Sequence, residues 1–272
     1  MPPQFALGVG ALTIGVVAGT HLRRERVARR AAERFTAAAL ETLLNAIDAN
    51  DHETGAHVRR VARYALTLAD AADLDQKMRL TIERVALFHD IGKIHEALFD
   101  IIHDESTLTP EEWNAIATHP RRGAQVLAPL TSFYPDLEEG VLSHHERWDG
   151  TGYPRKLRGR RIPLAARVVA IADSFDAITH RRRYRDGRTN TQAAEMIAAG
   201  RGTQFDPELT DLFLLPPVLR MIEREMHASN TPRVRRGERR SGKIVDAPDI
   251  TFRWREGSRA RHGRDSPRTK VR

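Results

Sequence analysis

The chain has 272 residues, room for one domain of about 150–200 residues with terminal extensions. It contains no cysteine, so disulfides and thiolate metal sites are excluded, and any bound metal must use His, Asp and Glu. The formal net charge is +8, but residues 231–272 alone hold 14 Lys or Arg against 5 Asp or Glu. The positive charge therefore belongs to the C-terminal segment, and the part before it is close to neutral.

The N-terminal residues 5–20 form an uncharged and mostly apolar run. Its length is marginal for a bilayer, which needs about 20 apolar residues. Five arginines follow within residues 23–30, a pattern that would hold the remaining chain in the cytoplasm. We therefore predict a membrane anchor at residues 1–22 that tethers the chain to the inner membrane, with a docking segment as the alternative. Residues 23–49 read as an alanine-rich linker helix, and a homodimer formed through the N-terminal helix is a hypothesis.

Helical periodicity dominates the next part of the chain, and no run alternates as a strand would. Pro110 and Pro207, each followed by a glutamate, are typical of helix starts. We therefore predict an all-α domain over residues 50–228. Its candidate helices cover residues 55–71, 76–90, 110–127, 136–147, 162–179, 190–199 and 206–225. Residues 229–272 are rich in Arg, Ser, Gly and Pro and predict a basic disordered tail.

Candidate metal ligands recur along these helices. Glu53 and His57 are spaced i,i+4 and so share one helix face. His89 and Asp90 follow an apolar run, which predicts an imidazole and a carboxylate at the end of a buried helix. Two further groups are His119 with Pro120, at a junction between helices, and Asp173 with Asp176, spaced i,i+3 in an apolar helix.

The stretch at residues 144–154, HHERWDGTGYP, is the centre of the pattern. His144 and His145 predict ligands at a helix end. The two glycines and the proline that follow predict a tight loop. Alone, His119 or the Glu53–His57 pair is more often an ordinary surface feature. Together with carboxylates in apolar runs, which are costly to bury unpaired, they predict a centre with at least two metal ions and phosphodiester hydrolysis.

On these residues the chain resembles the HD-GYP family, a branch of the HD superfamily of metal-dependent phosphohydrolases, over about residues 40–220. The matching motifs are HDIGK at 89–93, HHE at 144–146, DGTGYP at 149–154, ADSFDA at 172–177 and GTQFDP at 202–207. The resemblance implies an HD-type helical bundle. It also implies hydrolysis of the bacterial second messenger cyclic di-GMP to the linear dinucleotide pGpG, and leaves open a further step to GMP.

The resemblance also implies roles for single residues. Two or three divalent ions would be bound by Glu53, His57, His89, Asp90, His119, His144, His145 and Asp173. The donor types themselves, oxygen and imidazole without sulfur, suit iron, manganese or a catalytic zinc, and iron or manganese is favoured. Asp90 would bridge two ions, Lys93 would contact a substrate phosphate, and Glu53 would serve a third ion. Further substrate contacts would come from Asp176, Arg182 and Arg185. For the two arginines a solvated basic loop is the alternative.

The chain departs from the family pattern at two places. After Lys93 the expected Ile-Pro-Asp and Lys-Pro-Gly segments are replaced by residues 94–107, and the expected Arg-Pro-Tyr reads Arg-Arg-Tyr at 182–184. Neither change removes a ligand, but substrate preference stays open. The alternatives are a catalytically silent module that binds a cyclic dinucleotide and an HD hydrolase of another nucleotide. Nucleic acid is not expected as the main partner, because the basic tail has few aromatic residues.

Overall fold

The computed structural model describes residues 4–94, 109–180 and 187–230. These residues form α-helices joined by turns, with no β-strand among them, so the predicted all-α class is confirmed. The helices, numbered in chain order, are α1 (Gln4–Asn50), α2 (His52–Ala71), α3 (Gln76–Phe88), α4 (Pro110–Ile116), α5 (His119–Leu127), α6 (Pro135–Ser143), α7 (Leu164–Thr179), α8 (Asn190–Ala199), α9 (Pro207–Phe213) and α10 (Pro216–Asn230).

Helix α2 lies at the centre of the bundle and packs against α1, α3, α7 and α10. Its apolar face buries Val58, Tyr64 and Leu68 completely. Phe88 at the end of α3 and Phe175 in α7 are buried in the same core, and the Phe175 ring meets Tyr64 edge to face at 6.0 Å between centroids. The core therefore holds the C-terminal end of α3 and the middle of α7 against α2, and these are the segments that carry predicted ligands.

Prolines divide two of the predicted helices. The helix expected over 110–127 is split into α4 and α5, and Pro120 lies in the first turn of α5. The helix expected over 206–225 is split into α9 and α10, which begins at Pro216. Proline lacks an amide hydrogen and its ring clashes with the preceding turn, so each proline starts a new helix.

The first 50 residues differ from the predicted division into anchor and linker. Helix α1 is continuous from Gln4 to Asn50, and Leu40, Leu44 and Ile47 are buried in the core. Because these residues recur every three or four positions, they form a stripe facing the bundle. The second half of α1 is thus part of the domain rather than a linker.

The described helices include none that is both long and apolar enough to cross a membrane. The anchor at residues 1–22, the tether to the inner membrane and the N-terminal dimer remain predictions. Nearly all of the predicted tail, from residue 231 onward, lies outside the described residues.

Candidate metal centre

Most of the predicted ligands converge at one end of the bundle because they lie at or near helix ends. His89 and Asp90 directly follow α3, and the four apolar residues before them are buried. His119 begins α5, while His144 and His145 directly follow α6. His57 and Asp173 come from the central helices α2 and α7.

The first group of possible ligands consists of His57, His89 and Asp90. His89 Nε2 lies 3.4 Å from Asp90 Oδ2, and His57 Nε2 lies 3.8 Å from the same oxygen. Asp173 adjoins this group, since its Oδ1 lies 3.3 Å from His57 Nε2 and 3.8 Å from His89 Nε2. The four side chains therefore surround one position with two imidazoles and two carboxylates.

The second group consists of His119, His144 and His145. The Nε2 atoms of His119 and His144 are 3.1 Å apart, and the rings of His144 and His145 are 4.1 Å apart between centroids. His119 and His144 are buried. This group offers three imidazoles from two helix ends.

Asp90 lies between the two groups. Its Oδ2 faces His89 and His57, whereas its Oδ1 lies 3.3 Å from His119 Nε2. A carboxylate that directs one oxygen to each group has the arrangement of a bridging ligand.

Hydrogen bonds orient the imidazole rings. The Nδ1 atoms of His89, His119 and His144 lie 2.8, 2.8 and 2.6 Å from the backbone carbonyls three residues earlier. A carbonyl oxygen can only accept, so each Nδ1 carries the proton and each neutral ring keeps its Nε2 lone pair for the centre. This is how metal-binding histidines are usually held.

The residues present fit bound cations. His119 and His144 direct two Nε2 lone pairs at each other, which is repulsive unless a positive charge lies between them. His89 Nε2 and Asp90 Oδ1 are buried without any hydrogen-bond partner, and such groups are costly to leave unsatisfied. A cation in each group would satisfy all of these atoms. The donor set therefore fits a metal ion in each group.

Burial and charge set the protonation of the centre. Burial lowers the pKa of His119 to about 4 and that of His145 to about 3, and it holds the pKa of His144 well below its usual value. These rings are therefore neutral at pH 7, as metal ligands must be. Burial alone would raise the pKa of Asp90, but the positive charge of Lys93 holds it well below the usual range.

Asp176 orients His57 through Nδ1, the ring nitrogen that faces away from the ligand group. The Asp176 side chain is 1% exposed, its Oδ2 accepts a hydrogen bond from His57 Nδ1 at 2.7 Å, and Arg60 binds both of its oxygens at 2.8 and 3.0 Å. His180 Nδ1 lies 3.0 Å from Oδ1. The family resemblance implies that Asp176 contacts the substrate. In this structure its two carboxylate oxygens contact His57, Arg60 and His180. Arg60 was missed from the sequence, although its i,i+3 spacing from His57 was the available signal.

Lys93 lies beside the bridging carboxylate. Its ammonium donates to Asp90 Oδ2 at 2.7 Å, and its side chain is 30% exposed, so it is both paired and open to solvent. The preceding Gly92 packs directly against the start of α5, where a Cβ would clash with the His119 carbonyl oxygen. Only glycine allows the His89–Lys93 turn to approach α5 this closely.

The loop after His145 is held in a defined shape, as its sequence predicts. Buried Glu146 is not among the ligand groups. Its carboxylate accepts the amides of Arg155 and Leu157 at 2.7 and 2.9 Å, which closes the loop. Gly152 packs against the His145 carbonyl, 2.6 Å from where a Cβ would lie, and the Tyr153 ring stacks on His145 at 4.9 Å between centroids.

The later motif at residues 202–207 supports this loop. The amides of Trp148 and Asp149 donate to the carbonyls of Gln204 and Thr203 at 3.1 and 2.8 Å. Asp206 caps α9 through the amides of Glu208 and Leu209. Residues 202–207 therefore hold the loop after His145 in place and contribute no ligand to the two described groups.

One predicted metal ligand, Glu53, does not join the others. Glu53 is exposed at the start of α2 and belongs to neither group of possible ligands among the described residues. Arg182 and Arg185 lie outside the described residues, as do residues 95–107 of the altered loop. The structure therefore supports two cation positions.

An α-helical bundle that gathers histidines and aspartates from helix ends in this way defines a histidine–aspartate metal-binding domain. The family model described as HD domain matches residues 41–209. The chain belongs to the HD-domain family, and its motifs are those of the HD-GYP branch.

Comparison with curated proteins gives relatives from Vibrio cholerae. The chain is 38% identical over 174 residues to "3′3′-cGAMP-specific phosphodiesterase 2", which covers 63% of this chain and 33% of that protein. It is 37% identical over 191 residues to a "Cyclic di-GMP phosphodiesterase", covering 65% of this chain and 38% of that protein. The chain thus spans about a third of the length of these relatives.

A solved structure shows the same fold. The crystal structure of a cyclic GMP-AMP specific phosphodiesterase from Vibrio cholerae aligns with a TM-score of 0.53 at 20% identity. The alignment covers 71% of this chain and 50% of that one. This likeness confirms the HD-type bundle predicted from the motifs.

Proposed function

We propose that the chain is a metal-dependent phosphodiesterase that hydrolyses cyclic di-GMP to pGpG. The observation that carries this proposal is the position of Asp90, whose two oxygens face separate groups of histidines. Two divalent ions bound there would acidify a water molecule and stabilise negative charge on a phosphate undergoing displacement. Imidazole and carboxylate donors without sulfur favour iron or manganese.

The chain's own residues would prepare the site for an anionic substrate. His57, His89, Asp90 and Asp173 would hold one ion, and His119, His144, His145 and the second oxygen of Asp90 would hold the other. Lys93 keeps Asp90 ionised and has a partly exposed ammonium, so it can also neutralise a phosphate oxygen. The arginines 182 and 185 remain proposed substrate contacts.

A second substrate, 3′3′-cGAMP, is favoured by a specific observation. The Vibrio cholerae relative that is 38% identical is named as specific for it, whereas the relative at 37% is named for cyclic di-GMP. Both molecules present the same phosphodiester to the metal centre and differ in one base. We therefore propose a cyclic dinucleotide as the substrate class, with cyclic di-GMP as the first candidate.

A silent binding module is the alternative from another functional class. A chain that had lost catalysis would be expected to have lost a ligand, but both oxygens of Asp90 and all five histidines are in place. The complete set supports an enzyme.

The test is hydrolysis by the full chain purified anaerobically with Fe²⁺ or Mn²⁺. Cyclic di-GMP and 3′3′-cGAMP are supplied separately, and the products are separated by chromatography. We expect a linear dinucleotide that disappears after chelation and returns when the metal is restored. Tight binding of either dinucleotide without any product, in a sample with a full metal complement, would establish the binding module instead.

A further inference from the structure

A series of three aromatic rings leads from the metal centre to the surface. The His145 ring, in the second ligand group, stacks on Tyr153 at 4.9 Å between centroids and an interplanar angle of 27°. Tyr153 meets Trp113 at 5.8 Å and 69°. Trp113, the outermost ring, is 52% exposed. The series therefore ends in a tryptophan that is open to solvent at the rim of the centre.

The position of Trp113 is set by the local structure of α4. Thr109 and Glu112 form a capping box, in which Thr109 Oγ1 accepts the Glu112 amide and the Glu112 carboxylate accepts the Thr109 amide. Pro110 occupies the first turn. A capped helix start holds its first turns in a single conformation. Trp113 is thus presented on an ordered helix.

The exposure of Trp113 contrasts with that of Trp148, the other tryptophan in the described part of the chain. Trp148 is half-buried, beneath the guanidinium of Arg167, and its amide donates to the Gln204 carbonyl. Trp113 contacts Tyr153 at an edge-to-face angle, which leaves much of its surface in water. An exposed tryptophan beside a catalytic centre has the property needed for stacking on a flat ligand.

We infer that Trp113 stacks on one nucleobase of the cyclic dinucleotide while the adjoining phosphate lies at the metal centre. This inference rests on the proposed function. In a dinucleotide each base is joined to its phosphate through a single ribose, and Trp113 is separated from the ligand His145 by one intervening ring. Aromatic side chains stack on every base because each base has a π-face. Trp113 therefore contributes to affinity for guanine and adenine alike, and other residues set the choice between them.

The test compares Trp113→Phe, Trp113→Leu and wild type in the full chain. Leucine keeps an apolar side chain against Tyr153 but removes the ring. Stacking on one base is worth about a factor of five or more in affinity, so Trp113→Leu should raise KM by at least about fivefold for both cyclic di-GMP and 3′3′-cGAMP. The value of kcat and the metal content should be unchanged, and phenylalanine should restore most of the affinity.

Phe133→Leu is the matched control. Phe133 is also an exposed aromatic residue, at 43%, but it lines a separate cavity with Lys77 and Tyr134. A KM that is the same in Trp113→Leu and wild type would overturn the inference, and so would an increase confined to one of the two substrates.

Binding of a non-hydrolysable phosphorothioate analogue of cyclic di-GMP separates failure of this inference from failure of the proposed function. If wild type binds the analogue without turning over either substrate, the phosphodiesterase proposal fails. Weaker binding by Trp113→Leu would then still support stacking, and equal binding would overturn it. If wild type neither binds nor cleaves a cyclic dinucleotide, both proposals fall.

Discussion

The Nε2 atoms of His119 and His144 face each other at 3.1 Å. Each ring donates its Nδ1 proton to a backbone carbonyl, so each Nε2 carries a lone pair. Burial holds the pKa of both rings below the usual value, so a shared proton is disfavoured at neutral pH. Two lone pairs this close need a cation. A metal ion bound by both Nε2 atoms would satisfy them.

Metal removal should lower the thermal stability of the chain. A ligand that binds only the folded state stabilises it by about 2.7 kcal/mol at a free concentration one hundred times its Kd. We expect the melting temperature to fall on chelation and to recover with Mn²⁺, measured by scanning calorimetry. In His119→Ala the same chelation should have a smaller effect. An equal melting temperature with and without metal in wild type would contradict a cation between these rings.

Replacement of Asp90 should remove more metal than replacement of a ligand in one group. Asp90 directs one oxygen to each group, so Asp90→Ala should reduce the metal content at both positions and abolish turnover. His145→Ala should affect only the second group. Metal per chain is measured by elemental analysis after gel filtration.

Glu53→Gln is the control for this comparison. Glu53 is exposed and belongs to neither described group, so this variant should keep the wild-type complement of two ions. Loss of one ion from Glu53→Gln would show that Glu53 binds metal. A full complement in Asp90→Ala would show that Asp90 does not bridge.

Arg60 should act on metal affinity through Asp176 and His57. Arg60 binds both oxygens of Asp176, which in turn accepts the Nδ1 proton of His57. Residues that orient a metal ligand in this way are worth about 10–100-fold in metal affinity. Asp176→Asn and Arg60→Met should therefore weaken metal binding, measured by competition with a chelating dye.

The neighbouring Arg59 offers the control for Arg60. It forms a similar two-point ion pair with Asp48, on the side of α2 that faces α1. Arg59→Met should cost some stability without changing metal affinity. If both arginine variants weakened metal binding equally, a general loss of packing would explain the result better than orientation of His57.

Gly92→Ala should destabilise the chain. A Cβ at this position would clash with the His119 carbonyl oxygen and lie 2.7 Å from the Gly123 amide nitrogen, and both are backbone atoms that cannot rotate away. Overpacking of this kind costs about 1–3 kcal/mol, which denaturant unfolding would detect. Gly123→Ala should cost less, since its nearest contact is a Val141 methyl at 3.1 Å. Wild-type stability in Gly92→Ala would show that α5 can move.

Much of the domain was predictable from local sequence patterns. The α-helical class followed from periodicity, and α8 has its predicted bounds of 190–199 with a capping box of Thr189 and Gln192 at its start. The ligand types were also predictable, because carboxylates and histidines in apolar runs are costly to bury without a partner. The absence of cysteine left only nitrogen and oxygen donors.

Only the tertiary structure decided which of these residues lie together in each ligand group. Asp90 lies between two groups because the C-terminal ends of α3 and α6 meet the start of α5, and Asp176 turns toward His57 because α2 packs on α7. Glu53 and His57 share a helix spacing, yet only His57 reaches a ligand group. The Trp113–Tyr153 contact joins residues 40 positions apart. Local patterns specify what a helix presents, whereas the packing of distant helices determines which side chains meet.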